Sequence, residues 1–127
     1  MKDETRKLLE KAQRALGAAE ALYGDGFEDF AAGRAYYAMF HTDQALLREK
    51  DLSYRKHSSV HAAFGEHFAK TGLLDPKFHR WLLDAFDERI VGDYGIEVEF
   101  ESDSVAVRIE QAREFLETAR RFLEEPK

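Results

Sequence analysis

No cysteine occurs anywhere in the 127 residues, so a disulfide framework and a thiolate metal site are both excluded. Proline is scarce as well. The two prolines, Pro76 and Pro126, leave every long periodic segment uninterrupted, which favours helices. No apolar run approaches the roughly 20 residues that a membrane-spanning helix needs. The opening stretch, MKDETRKLLEK, carries no apolar core of the secretory type, so the expectation is a cytoplasmic protein of a prokaryote-like cell. Positive charge is in deficit: 19 Lys and Arg stand against 25 Asp and Glu, a formal net charge of −6. Broad, sequence-independent nucleic-acid binding is thereby disfavoured, because it depends on cations neutralising phosphates; a small local basic site is not. A phosphate loop, a dinucleotide glycine motif and a serine elbow are also missing, and with them the support for most common enzyme classes. Nothing implies a cofactor.

What is present describes one folded domain over residues 1–127, since 44% of the chain is hydrophobic and 35% charged. Leu8, Ala12, Ala15, Leu16, Ala19, Leu22 and Tyr23 keep the three-four spacing of one helix face over about residues 3–23. GDG at 24–26 ends that helix. The second, about 27–50, is apolar nearly all round and rich in Ala and Gly, as a central bundle helix would be. The third covers about 54–71. The fourth opens at DPKF, with Asp75 as cap and Pro76 in the first turn, and ends near GDYG; its core side is Phe78, Trp81, Leu82, Ala85, Phe86 and Ile90. Residues 96–104 alternate apolar and acidic and read as an ordered loop packed on the helices. Ser102 or Ser104 caps a fifth helix ending near 124, with Val105, Ile109, Ala112, Leu116, Ala119 and Leu123 on one seam. The fold class is all-α, a single up-and-down bundle of about five helices. Its core is expected to hold Phe30, Phe40, Phe64, Phe68, Trp81, Phe86, Leu116 and Leu123.

Three constellations can carry chemistry. In GRAYYAMFH, Arg34, Tyr37 and His41 share a helix face over two turns. They either line a groove, or Tyr36, Tyr37 and Phe40 are core aromatics from which Arg34 snorkels outward. In YRKHSSVHAAF, His57 and His61 have the spacing of helical metal ligands, but no glutamate follows His57 and no third ligand stands nearby, so no metal is expected. Arg55, Lys56 and His57 there form either a solvated basic helix start or a phosphate contact at a helix N-terminus. In ERIVGDYG, Arg89 and Asp93 either pair across one turn or form, with Tyr94, a phosphate-handling site.

The blocks AAGRAYYAMFH, KHSSVHAAFGEHFAKTGLLD and RIVGDYG, in this order over about residues 5–123, resemble the HEPN superfamily (higher eukaryotes and prokaryotes nucleotide-binding), above all its small stand-alone prokaryotic members. The resemblance implies a dimerising helical bundle that pairs with a minimal nucleotidyltransferase in toxin–antitoxin-like systems. It implies RNA or a nucleotide as ligand and, in many relatives, metal-independent RNA cleavage through an arginine followed after four to six residues by a histidine. Here the corresponding segment is Arg89 to Gly95, and Asp93 and Tyr94 stand where that histidine would be. An ordinary aspartate is already ionised near neutral pH, so the motif is degenerate. Arg34 and His41 match the spacing, but in an earlier helix than the one that carries the motif. The expected protein therefore binds RNA or a nucleotide without rapid cleavage, through Arg89, Asp93 and Tyr94 with Arg34, Tyr37, His41, Lys56 and His57. An active endoribonuclease or a ligand-free helical adaptor are the alternatives. The resemblance also places Arg89, Asp93 and Tyr94 beside a dimer cleft, with Tyr94 as a hydroxyl that the partner enzyme would modify.

Overall fold

The computed structural model describes residues 1–96 and 102–125. Five helices account for nearly all of them: α1 (Asp3–Gly24), α2 (Glu28–Glu49), α3 (His57–Phe64), α4 (Lys77–Tyr94) and α5 (Ser102–Glu124). No helix among them is long and apolar enough to cross a membrane. The GDG segment turns α1 back on α2, with Gly26 at φ +85°, a value that glycine adopts without a Cβ penalty. Asp75 Oδ1 accepts from the Lys77 amide at 2.9 Å and opens α4 as a cap.

α2 is the central helix and packs against α1, α3, α4 and α5. Ala31, Ala32, Gly33, Ala35 and Ala38 are all buried; side chains this small let neighbouring helices approach closely. Ala12, Leu16 and Ala19 of α1, Phe64 and Phe68, Phe78 and Leu82 of α4, and Val105, Ala112, Phe115 and Leu116 of α5 complete the core. Trp81, Phe86 and Leu123 lie at its edge, partly buried. Two expected core residues do not belong to it. Phe30 is 54% exposed and Ile90 37% exposed, because α2 and α4 each extend past the neighbours that would have covered those positions.

Three boundaries differ from expectation. Residues 54–56 are not helical, and Lys56 is extended (φ −85°, ψ 138°), so His57 opens α3. The same segment then widens into a π-helical turn over Gly65–Ala69. Gly65 is required there, since a Cβ would stand 2.8 Å from His79 Cε1. Finally, α5 already begins at Ser102, so Ser104 lies inside its first turn and donates to Glu88 Oε2 at 2.8 Å instead of capping. Ile96, expected to pack on the helices, is 98% exposed; the rest of the expected loop, with Val98 and Phe100, and the Ser102 side chain lie outside the described residues.

Candidate functional site

Successive aromatic residues on α2 organise the site. Tyr36 and Tyr37 meet edge to face at 5.2 Å between centroids, Tyr36 fully buried and Tyr37 half-buried. Tyr37 carries the cations. The Arg34 guanidinium stands 4.8 Å from its ring centroid and the Arg89 guanidinium, from α4, 5.3 Å, both within cation–π range. Arg89 Nη2 also donates to the Tyr37 hydroxyl at 3.1 Å. Asp93 Oδ2 lies 3.0 Å from Arg89 Nε as an ion pair, yet Nε has no hydrogen bond. The contact is Coulombic, and the charge-assisted hydrogen bond expected from the spacing is not formed. Gly33 lets α4 come this close: a Cβ would meet Asp93 Oδ1 at 3.4 Å and Arg89 Cγ at 3.8 Å.

Tyr36 carries the imidazoles. Its hydroxyl lies 2.7 Å from His57 Nδ1 and 2.8 Å from His61 Nε2. His57 stacks on Phe40 at 4.1 Å and 13°, and His61 sits edge-on to Phe86. The i, i+4 histidines thus hold a tyrosine between them, and among the described residues no three metal-ligating side chains converge. Burial pushes the Tyr36 hydroxyl far above its ordinary range, and the neighbouring Tyr37 adds to the effect, so it stays protonated. Burial, then the positive forms of His57 and His79, holds His61 down to about 4. Burial and the Arg89 charge lower His57. His41 is lowered chiefly by burial; its Nδ1 donates to Gln44 Oε1 at 2.8 Å.

At neutral pH the histidines of the cluster are therefore neutral. Arg34 and Arg89 against Asp93 leave one net positive charge, in a protein whose net charge is −6. Arg34 forms no ion pair with any described residue. The structure brings Arg34, Tyr37, His41, His57, Arg89 and Asp93 into one cluster. Lys56 and Tyr94 stand apart: Lys56 is exposed just before α3, and Tyr94 is 74% exposed at the end of α4. Sequence reasoning set Tyr36 aside as a core aromatic and weighed His61 only as a metal ligand. Their partners lie 21 and 25 positions apart, beyond any helical spacing rule. A shallow groove lined by Trp81, Val107, Glu110 and Glu114 lies elsewhere, and its carboxylates disfavour an anion.

A bundle of this kind, with an Arg–Asp pair late in the fourth helix set against an aromatic second helix, defines the class. The chain belongs to the HEPN family, whose domain model matches residues 5–127. Among its relatives is "Putative toxin MJ0142" of Methanocaldococcus jannaschii, 35% identical over 96% of this chain and 83% of its own. "UPF0332 protein glr0978" of Gloeobacter violaceus is 36% identical over 97% of this chain and 98% of its own, and a "UPF0332 protein" of Thermotoga maritima is 36% identical over 98% of both.

Proposed function

We propose that this HEPN protein binds RNA as the toxin-like component of a two-protein system. The observation that carries the reading is the convergence of Arg34 and Arg89, from separate helices, on the one Tyr37 ring. Two guanidiniums over an aromatic face, with one carboxylate between them, suit a phosphodiester. The cations meet the phosphate, Arg in a planar fork, and the ring offers a stacking surface for a base. The local charge opposes the overall one, so binding is confined to this patch.

The relative named a toxin supports the toxin-like role, and a minimal nucleotidyltransferase is the partner the family resemblance implies. Tyr94, 74% exposed, is open to modification by such a partner, and an added nucleotide would bring negative charge towards the arginines and repel RNA. The assembly is a two-fold homodimer. Phe27, Phe30, Ile90, Val91 and Tyr94 are exposed near the start of α2 and the end of α4, where a second copy would cover them. Light scattering at micromolar concentration checks the dimer, and a monomer would refute it.

Titration of a 2′-O-methyl RNA oligonucleotide against wild type, Arg34→Ala and Arg89→Ala at fixed low salt tests the binding reading. Each variant should bind on the order of tenfold or more weakly, as loss of a charge-assisted contact implies. Equal affinities would reject it.

A further inference from the structure

The binding reading leaves unused the most constrained polar group in the protein, the buried hydroxyl of Tyr36 between two imidazoles. A hydroxyl has one proton. It donates to one histidine and must accept from the other, so the tautomers of His57 and His61 are coupled. If Tyr36 donates to His61 Nε2, then His57 Nδ1 carries a proton and donates to Tyr36, and His57 Nε2 keeps its lone pair. That nitrogen has no partner among the described residues and is not among the buried unpartnered atoms, so it faces solvent. His57 and Arg89 flank the same tyrosine pair: Arg89 stands over both rings and His57 lies against both. The positive field of Arg89 favours a lone pair over an N–H at the outward nitrogen.

We infer that His57 is the proton-transfer residue of this site, with Tyr36 and His61 as the positioning residues that fix its tautomer, and that the substrate is an RNA phosphodiester with its neighbouring 2′-hydroxyl. The inference rests on the RNA-binding reading, which puts the phosphate on Arg34 and Arg89. The 2′-oxygen attacks phosphorus as His57 Nε2 takes its proton. The bond from phosphorus to the 5′-oxygen breaks, and water supplies the proton to that leaving oxygen. The products are a 2′,3′-cyclic phosphate and a 5′-hydroxyl. The imidazolium then donates through Nδ1 to Tyr36 and returns its extra proton to water through Nε2. The segment from Arg89 to Gly95 has no histidine, and α3 supplies one from another direction, already oriented. This goes beyond the slow or absent cleavage that the degenerate motif implies.

The test uses RNA and its 2′-O-methyl counterpart, in EDTA, with wild type, His57→Gln, Tyr36→Phe and His61→Gln. Wild type should cleave RNA to the cyclic phosphate and leave the methylated strand intact. His57→Gln should lose on the order of a hundredfold in rate or more while binding the methylated strand within about twofold of wild type. Tyr36→Phe, which removes only an oxygen, should slow cleavage and move the pH–rate profile. The charged and titratable groups around His57 that set this profile are Tyr36, Tyr37 and His41 of α2, His61 of α3 and Arg89 of α4. Long-range ¹H–¹⁵N spectra of wild type at pH 7.5 should report one His57 tautomer, protonated at Nδ1, and Tyr36→Phe should abolish that preference. Tight binding without cleavage, undiminished cleavage by His57→Gln, or an Nε2-protonated His57 would each overturn the assignment while leaving the binding reading intact. Loss of the Arg34 and Arg89 dependence of binding would instead strike the binding reading itself.

Discussion

His61 should make this protein sensitive to acid. Its side chain is 4% exposed, and the folded state holds its pKa near 4 from an ordinary 6.5, through burial first and then the charges of His57 and His79. A depressed folded pKa means that the unfolded chain binds the proton more tightly. The stability contributed by neutral His61 is therefore fully present above pH 6.5 and is lost as pH falls towards 4. Taking the two values at face, protonation of the unfolded state at pH 4 removes about 3 kcal/mol. That is a large share of the roughly 5–15 kcal/mol that holds an ordinary domain folded. The assay is urea unfolding followed by circular dichroism at half-unit steps from pH 7.5 to 4.0, on wild type and His61→Gln. The glutamine offers Tyr36 an amide and does not titrate. Carboxylates titrate in both proteins and drop out of the difference. The gap between wild type and variant should shrink by about 3 kcal/mol across that range, with the denaturant slope unchanged. A gap constant to within about 0.5 kcal/mol would show that the fold accommodates a charged His61, and the argument from burial would be wrong.

Other expectations concern packing. Asp43 is fully buried and neither carboxylate oxygen has a hydrogen-bond partner; burial raises its pKa well above the ordinary value. Its contribution is greatest below about pH 4 and declines as pH rises, so Asp43→Leu should gain about 1–3 kcal/mol at pH 7.5, and a destabilised variant in urea melts would contradict this. Gly65→Ala places a methyl 2.8 Å from His79 Cε1 and should lose about 1–3 kcal/mol by the same measurement; an unchanged midpoint would mean that the π-turn can shift freely. Phe64 is fully buried, so Phe64→Ala should cost about 3–5 kcal/mol. Trp81 lies at the core's edge beneath Lys77, and Trp81→Ala should cost less than Phe64→Ala; the reverse order in thermal melts would invert the core assignment.

The sequence by itself determined the helices and much of their inward faces. Leu16, Ala19, Leu82, Ala112 and Leu116 sit on the buried sides that their spacing marks out, because burial on one face of a 3.6-residue repeat leaves a period in the chain. Contacts within one helix were legible for the same reason: Arg89 and Asp93 are four apart and do pair. Periodicity says which face is apolar, but not which element will cover it. Phe30 and Ile90 carry the right pattern and stay exposed because no helix reaches them. The functional cluster lay wholly beyond that signal. Arg89 meets Tyr37 across 52 positions, and Tyr36 meets His57 and His61 across 21 and 25. Such meetings depend on how closely α3 and α4 settle against α2. That approach is set where side chains are absent, at Gly33 under Arg89 and Asp93 and at Gly65 under His79, and only the packed tertiary structure decides it.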